Sequence, residues 1–411
     1  MSKIKDPSLK DEGMRKVEWA RTRMPVLMQL KEKYKGEKPL KGLKIGGGLH
    51  VTKETAVLAE ALVAAGAEFS LAASNPLSTQ DDVAAFLVSE GIDVYAWRGM
   101  SKEDYYWAIE QVVEKDPEII VDDGGDLTLA ILQKGKRPIG GCEETTTGIV
   151  RARAMASQGK LTFPLMAVND AETKWDFDNV YGTGQSALDG IIRATNVLLA
   201  GKTVVVSGYG HVGRGIANRA KGMGAEVIVT EVSPIRALRA RMDGFRVTSM
   251  KEAASLGDIF ITATGNKSVI REEHFKLMKD GAILANAGHF NVEIDVNALE
   301  SMCKGKRELR ANNVEYDLDG KKLFLIAEGR LVNLAAAEGH PSEVMDMSFA
   351  NQFLSVLYLK ENGSKLTPGV YPIPKEQDEQ VALLKLKSMG ITIDSLTEEQ
   401  MRYLSGFEEG T

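Results

Sequence analysis

Residues 203–215, TVVVSGYGHVGRG, combine an apolar strand pattern, a glycine-rich turn and the first residues of a helix. The run Thr203–Ser207 predicts a buried strand, and the periodicity of Val212–Met223 predicts a helix. Glycines between these elements allow a tight turn and a close approach of the backbone to a pyrophosphate, while the helix N-terminus offers N–H donors to the anion. The segment therefore predicts a dinucleotide site; the alternative is a glycine turn that binds nothing. The glycines of this G-x-G-x-x-G pattern are Gly208, Gly210 and Gly213.

The next predicted strand is followed by an acidic residue. This strand covers Ala225–Thr230, and Glu231 comes directly after it. A carboxylate at this point accepts a hydrogen bond from a ribose 2′-hydroxyl and repels a 2′-phosphate, so the pattern favours NAD over NADP. About 200 residues precede the glycine turn, which leaves the N-terminal half of the chain for something other than the cofactor.

The composition is that of a globular protein. The chain has 411 residues, of which 44% are hydrophobic and 26% charged, with a formal net charge of −6. No basic block predicts nucleic-acid binding, and no apolar run approaches the roughly 18 residues of a membrane helix. The charged N-terminus is unlike a signal peptide, and two distant cysteines, Cys142 and Cys303, predict neither a disulfide framework nor a zinc motif. We therefore expect a cytoplasmic protein without nucleic-acid or membrane partners.

Strand and helix patterns alternate through both halves of the chain. This alternation predicts an α/β protein with two doubly wound parallel-sheet domains, the second of which is a Rossmann domain. The last part reverts to helix, with predicted helices over Val344–Glu361, Glu376–Met389 and Thr397–Tyr403. The other predicted strands are Leu43–Gly47, Glu68–Ala73, Asp93–Ala96, Glu118–Val121, Ile259–Thr262 and Ala282–Ala285, and the other predicted helices are Lys53–Ala65, Gln80–Glu90 and Lys102–Glu114.

Polar residues follow several of these strands, at the edge where open α/β sheets bind their ligands. His50 and His289 follow two of them, and His340 lies in the loop EGHPSE. A surface or capping role explains any one of these histidines, but three in glycine-flanked loops favour a function. The run Asp122–Asp126 is acidic, but its spacing does not match a calcium-binding loop, so we expect no metal site.

Two further segments allow a structural or a functional interpretation. In EETTTG (143–148) one threonine suffices to cap the following helix, and the others offer hydroxyls to a ligand. VNDAETKWDFDN (168–179) is either a solvated loop or a polar site that holds a single lysine.

Taken in order, segments from about residue 40 to about residue 360 resemble the S-adenosyl-L-homocysteine hydrolase family, in particular its shorter, archaeal-type members. Several of these segments are long and rarely met elsewhere. They are LHVTKETAVL (49–58), NPLSTQDDVAA (75–85), DDGGDLT (122–128), EETTTG (143–148), VNDAETKWDFDNVYGTGQSALDGI (168–191), SGYGHVGRG (207–215), VTEVSPIRA (229–237), NAGHF (286–290), AEGRLVNL (327–334) and GHPSEVMDMSFANQ (339–352).

The resemblance implies a fold, a cofactor and a reaction. The expected domains are a substrate domain over 1–180 completed by 341–371, a Rossmann domain over 181–340 and a C-terminal helical extension over 372–411. One tightly bound NAD per subunit and a homotetramer are implied. The implied reaction is the reversible hydrolysis of S-adenosylhomocysteine to adenosine and homocysteine, through transient 3′-oxidation, C4′ proton abstraction, elimination and water addition. It removes the product inhibitor of methyltransferases.

The resemblance also implies catalytic roles. Lys174 takes the proton of the ribose 3′-hydroxyl, and Asp178 binds the ribose hydroxyls. Because an unperturbed lysine is mostly protonated at neutral pH, we expect burial to lower the pKa of Lys174, although Asp178 opposes this. Asp123 removes the C4′ proton, and His50 and His289 serve the leaving sulfur and the attacking water.

Binding residues are implied by the same resemblance. The substrate contacts are Glu144 at the ribose and Thr52, Glu54, His340 and Met345 at the adenine, with Phe349 in the hinge region. The cofactor contacts are Thr145, Thr146, Thr147, Asn179, Gly208, Gly210, His211, Val212, Gly213, Arg214, Gly215, Glu231, Gly288 and Asn333.

Three departures from the family pattern bear on these expectations. Thr183 stands where many members have cysteine, so the chemistry of this chain does not require a thiol there. Glu338 replaces a common methionine near the purine and bears on base preference. The chain ends in YLSGFEEGT, without the Lys/Tyr-bearing tail of the long form, which puts the intersubunit cofactor contacts in question.

Other functions stay open at this point. One is a preference for S-inosylhomocysteine. Another is an NAD-dependent dehydrogenase of a small hydroxy acid, which shares the Rossmann unit but does not explain EETTTG. A third is a non-catalytic relative, which the presence of His50, Asp123, Lys174 and His289 argues against.

Overall fold

The apolar strands of the sequence pair into two sheets of eight strands each in a computed structural model, which describes residues 2–407. Helices cover both sheets, so the predicted α/β class is confirmed. The strands are β1 (Lys3–Ile4), β2 (Lys44–Leu49), β3 (Glu68–Ala73), β4 (Asp93–Ala96), β5 (Ile119–Asp122), β6 (Gly140–Glu143), β7 (Pro164–Ala167), β8 (Thr203–Ser207), β9 (Glu226–Thr230), β10 (Arg246–Val247), β11 (Ile259–Thr262), β12 (Ala282–Asn286), β13 (Gly305–Arg310), β14 (Asn313–Leu318), β15 (Lys321–Ile326) and β16 (Gly369–Pro372).

The helices connect these strands and form most of the C-terminal part. They are α1 (Lys10–Arg23), α2 (Pro25–Glu37), α3 (Lys53–Ala64), α4 (Asp81–Ser89), α5 (Lys102–Glu114), α6 (Asp126–Gln133), α7 (Thr146–Ser157), α8 (Glu172–Lys174), α9 (Thr183–Thr195), α10 (His211–Gly222), α11 (Pro234–Met242), α12 (Met250–Ala254), α13 (Glu272–Leu277), α14 (Val296–Met302), α15 (Val332–Ala335), α16 (Ser342–Asn362), α17 (Lys375–Ser388) and α18 (Glu398–Ser405).

The first sheet is parallel throughout, in the order β1-β4-β3-β2-β5-β6-β7-β16. Its last strand comes from far along the chain, because α16 packs against α2 and α3 and leads into β16 beside β7. Side chains of α16, such as Phe353 and Val356, are fully buried in the same core as β2 and β5. The chain therefore returns to the first sheet after it has built the second.

The second sheet has the order β10-β9-β8-β11-β12-β15-β14-β13 and is parallel only from β10 to β15. Its edge strands β13 and β14 are antiparallel and extend the predicted parallel sheet at one side. The connections explain this, since Asp319 and Gly320 both have positive φ, at 59° and 92°. Two such residues form the tight turn of a hairpin.

The segment 168–179, for which the sequence left a solvated loop open, is largely helical. Trp175–Gly182 forms a π-helix that continues into α9. Wide helical turns of this kind are found mostly at functional sites. At the other end of the chain, Thr397 caps α18 as predicted, because its hydroxyl accepts from the Gln400 backbone N–H. Among residues 2–407, no helix is both long and apolar enough to cross a bilayer.

Candidate active site

A cavity of about 510 Å³ lies where loops from both sheets meet. Parallel strands bring the residues after their carboxyl ends to one edge, which is how α/β sheets assemble ligand sites. The predicted residues that line the cavity are His50, Thr52, Glu54, Asp123, Glu144, Thr145, Thr146, Thr147, Lys174, Asp178, Asn179, Gly210, His211, Val212, Gly288, His289, Asn333, His340, Met345 and Phe349.

Asp123 lies between two histidines from opposite sides of the cavity. His50 Nε2 is 3.7 Å from Asp123 Oδ2, and His289 Nδ1 is 3.7 Å from Asp123 Oδ1. Ser78 Oγ holds His50 through a hydrogen bond of 2.7 Å to Nδ1. Asp123 Oδ1 is buried and has no hydrogen-bond partner among the described residues. The carboxylate is thus free to accept a proton from a molecule in the cavity.

Burial shifts the pKa values of Asp123 and the two histidines beside it. It raises the pKa of Asp123 and lowers the pKa of His289. It also lowers the pKa of His50 to about 3, and His340 contributes to the lowering. Both imidazoles are therefore neutral at physiological pH, when one ring nitrogen donates and the other accepts. His50, Asp123 and His289 also offer ligand atoms within 4.8 Å of one another, a spacing that suits a metal ion; the absence of a metal stays a prediction.

Lys174 is held by four groups within 4 Å. Its Nζ donates to Asn179 Oδ1 at 2.8 Å and to Asn169 Oδ1 at 3.2 Å. Asp178 Oδ2 lies at 3.0 Å and Glu144 Oε1 at 3.8 Å. Burial alone lowers the pKa of Lys174, but the two carboxylates outweigh it and the net change is upward. The opposition between burial and Asp178 that the sequence left open is thus decided in favour of a raised pKa, because the lysine is buried together with anions rather than alone.

The carboxylates beside Lys174 differ in their own partners. Burial raises the pKa of Asp178, but His340 and Lys174 outweigh it and hold the carboxylate charged. His340 bonds to Asp178 through Nδ1 and to Thr183 Oγ1 at 3.1 Å through Nε2. Thr183, where many family members carry cysteine, thus positions His340 with a hydroxyl.

Glu144 differs from Asp178 in that the net change in its pKa is upward. Burial raises its pKa to about 7, although Ser348 and Gln352 donate hydrogen bonds to it. Ser348 and Gln352 were not predicted as site residues, and neither was Asn169. Because buried polar side chains on a long helix beside a polar loop are unusual, SFANQ (348–352) gave a signal that could have found the first two.

The turn after β8 has the geometry that a dinucleotide needs. Gly208 has φ of 94°, and a Cβ there would lie 2.6 Å from the carbonyl oxygen of Ala263. A Cβ on Gly213 would collide with the Gly208 carbonyl. Asn333 lines the cavity, and its amide N and O are both buried without a partner among the described residues. Buried amides normally pair, so this amide fits the pattern of a ligand contact.

Family comparisons identify the chain. The family model for S-adenosyl-L-homocysteine hydrolase matches residues 1–139, and the model for the NAD-binding domain of the same family matches residues 179–339. The chain belongs to the S-adenosyl-L-homocysteine hydrolase family. Its cofactor is NAD, because the turn after β8 lies within that family's NAD-binding domain.

Curated relatives of this hydrolase family match over the full length. Adenosylhomocysteinase of Sulfurisphaera tokodaii is 59% identical, covering 100% of this chain and 99% of the relative. S-inosyl-L-homocysteine hydrolase of Methanocaldococcus jannaschii is 58% identical, covering 100% of both. Adenosylhomocysteinase of Aquifex aeolicus is 59% identical, covering 99% of both. Relatives named for the two activities therefore have nearly the same sequence identity to this chain.

Some residues expected at the cofactor of a hydrolase of this family do not line the cavity. Glu231 accepts from the backbone N–H groups of Tyr209, Val232 and Ser233 at 2.7–2.9 Å, which fixes its carboxylate beside the turn. Arg214 pairs with Asp176 at 3.1 Å. The remaining residues of this group, Gly208, Gly213 and Gly215, serve close packing of backbone.

Glu338 does not line the cavity either. Its carboxylate contacts Lys53 at 3.2 Å and Arg193 at 3.1 Å. Its expected influence on the purine base is therefore indirect.

Proposed function

We propose that this protein hydrolyses S-adenosyl-L-homocysteine reversibly to adenosine and L-homocysteine. The observation that carries the proposal is the placement of Asp123 between His50 and His289 in the same cavity as Lys174 and Asn333. A proton acceptor for carbon, two neutral imidazoles and a dinucleotide turn together suit an elimination that is enabled by temporary oxidation. Asn333 and the Gly208 turn fit NAD as its cofactor.

When bound, NAD would supply reversible oxidation at C3′ of the ribose, and this chemistry would make the C4′ hydrogen acidic until the hydride is given back. Lys174 and Asp178 bind the ribose hydroxyls. Lys174 takes the proton that leaves the 3′-hydroxyl while it passes one of its own to Glu144, which lies 3.8 Å away and has a pKa of about 7.

Asp123 removes the C4′ proton, and the thioether bond to C5′ then breaks. His50 and His289 give a proton to the departing sulfur and take one from the water that adds to C5′. Both imidazoles are neutral at rest, so each first takes a proton, either from water or from Asp123 at 3.7 Å after it has accepted the C4′ proton, and then passes it on as an imidazolium, in either direction of the reversible reaction.

The coarser architecture supports further proposals. We assign residues 1–180 with 341–371 to substrate binding, 181–340 to NAD binding and 372–411 to a C-terminal extension. The return of α16 and β16 to the first sheet supports the first assignment. We also propose a cytoplasmic homotetramer. Size-exclusion chromatography with light scattering tests the assembly, and a dimer or monomer would reject it.

Incubation of the purified protein with S-adenosylhomocysteine, with titration of released thiol, tests the function. The denatured extract is assayed for NAD in parallel. We expect thiol release and retained NAD. The absence of thiol release with NAD intact would reject the proposal.

A further inference from the structure

Lys53 is a buried cation behind the part of the cavity that we assign to the purine. It is only 8% exposed, although lysine is almost never buried without a partner. Its Nζ lies 3.3 Å from Glu54 Oε1 and 3.2 Å from Glu338 Oε2. Lys53 does not line the cavity, whereas Glu54 does. Any effect of Lys53 on a ligand therefore passes through Glu54.

Only one of the two carboxylate oxygens of Glu54 accepts a hydrogen bond from a described residue. Oε1 accepts from Ser342 Oγ at 2.5 Å and faces Lys53. Oε2 has no hydrogen-bond partner in the part of the chain that the structure describes, and Glu54 lines the cavity. Among those residues, no other cationic nitrogen lies within 4.0 Å of this carboxylate.

Lys53 remains charged in this setting. Burial alone lowers its pKa, but the carboxylates of Glu54 and Glu338 outweigh burial and raise it. Its ammonium therefore offsets part of the cost of burying a charge on the Glu54 carboxylate, which is 2% exposed and lies 3.3 Å away. Without the ammonium, the cost of burying the charge would favour the neutral acid.

The two protonation states of a carboxyl group recognise different purines. A carboxylate only accepts hydrogen bonds, so it pairs with the 6-amino group of adenine and repels the 6-oxo group of hypoxanthine. A neutral carboxyl group donates one hydrogen bond and accepts another. It therefore matches the 6-oxo group and the N1–H of hypoxanthine, and it also accepts adenine.

We infer that Lys53 is a positioning residue that keeps Glu54 an acceptor and so makes the purine pocket select a 6-amino over a 6-oxo purine nucleoside. The inference rests on the proposed function and names its substrate class. Glu338, held by Lys53 and Arg193, balances the charge of Lys53 from outside the pocket.

The test measures kcat and KM with S-adenosylhomocysteine and S-inosylhomocysteine, by thiol release, for the NAD-loaded wild type and variants. We expect the wild type to prefer the adenosyl substrate. Lys53→Met is expected to reduce that preference about tenfold to a hundredfold, the range of one hydrogen bond to a charged group. The change is expected in KM, because the purine is remote from the breaking bonds. Lys53→Arg keeps the charge and is expected to keep the preference.

A structural role for Lys53 would instead lower kcat/KM for both substrates by the same factor, and that result would overturn the inference. So would a wild type that prefers the inosyl substrate. Lys31→Met is the matched control, because Lys31 also pairs with a largely buried carboxylate, Glu60 at 2.8 Å, but neither residue lines the cavity, and it is expected to retain the preference. If Lys53→Met does not fold, Lys53→Gln carries the same prediction. Failure of the wild type on both substrates with NAD bound would instead reject the proposed function, and the inference with it.

Discussion

Replacing Asp123 with asparagine separates the oxidation step from the elimination. The amide has nearly the same shape, but it cannot take a proton from C4′. Asp123 Oδ1 has no hydrogen-bond partner among the described residues, and both histidine nitrogens lie 3.7 Å from the carboxylate. The substitution therefore removes little that stabilises the fold, and the loss falls on catalysis.

The expected loss of rate follows from the role of Asp123 as a general base. General-base catalysis contributes about 10²–10⁴ in rate, which corresponds to about 3–5 kcal/mol of activation free energy. We expect kcat for thiol release by Asp123→Asn to fall in that range. Addition of substrate should still produce the near-ultraviolet absorbance of enzyme-bound NADH, because Lys174, Asp178 and Asn333 are unchanged. Steady-state thiol titration and stopped-flow absorbance measure the two steps.

The acid limb of the pH profile is a second readout for the same residue. Since burial raises the pKa of Asp123, kcat/KM of the wild type should rise with pH above the ordinary range of an aspartate. Asp123→Asn should lose this limb. Asp116→Asn is the matched control, because its carboxylate lies on the surface in a pair with Lys136 and its loss should not change the rate. Loss of NADH formation in Asp123→Asn, or hydrolysis at the wild-type rate, would refute the assigned role.

Three further predictions follow from the site. Burial raises the pKa of Glu144 from 4.5 to about 7, so the folded state holds the Glu144 proton more tightly and stability falls as pH rises through this window. In urea denaturation, the wild type should lose about 3 kcal/mol of unfolding free energy between pH 4.5 and pH 7 relative to Glu144→Gln. Equal pH slopes for the two proteins would contradict the burial argument. Gly213→Ala should abolish NAD retention, because its Cβ would collide with the Gly208 carbonyl. Gly222→Ala in the same helix is the control and should retain NAD, because its Cβ would meet nothing within 4 Å. NAD is measured in denatured extracts, and equal retention by the two variants would contradict the turn geometry. Asn333→Ala should weaken NAD binding about tenfold or more, as measured by calorimetry. The melting temperature of the apoprotein should stay within a few degrees of the wild type, since the Asn333 amide has no protein partner within the described chain. Unchanged affinity would remove Asn333 from the cofactor site.

Local patterns predicted much of the fold. The strands Glu68–Ala73, Asp93–Ala96, Thr203–Ser207 and Ile259–Thr262 have the predicted bounds, because short apolar runs between turn residues admit few alternatives. The hairpins of β13–β15 were not predicted, since β13 is polar and exposed at the sheet edge and gives no apolar strand pattern. Asp-Gly at 319–320 was the available signal.

The candidate site was predicted largely through long motifs. Local sequence placed His50, Asp123 and His289 after strands, and the structure brings them together from both sheets. The sign of the pKa change at Lys174 was beyond sequence reasoning, because it depends on how many carboxylates share its burial. Lys53 was also missed, since helix periodicity does not tell which cation lies behind a buried carboxylate.

The central claim is that NAD is used and restored within each turnover. The most direct measurement mixes the NAD-loaded protein with excess S-adenosylhomocysteine and follows thiol release and NADH together until the reaction stops. The account predicts many equivalents of thiol per subunit, with NADH never above one equivalent and NAD recovered at the end. NADH that accumulates in step with product, or a complete lack of thiol from protein that retains NAD, would contradict it.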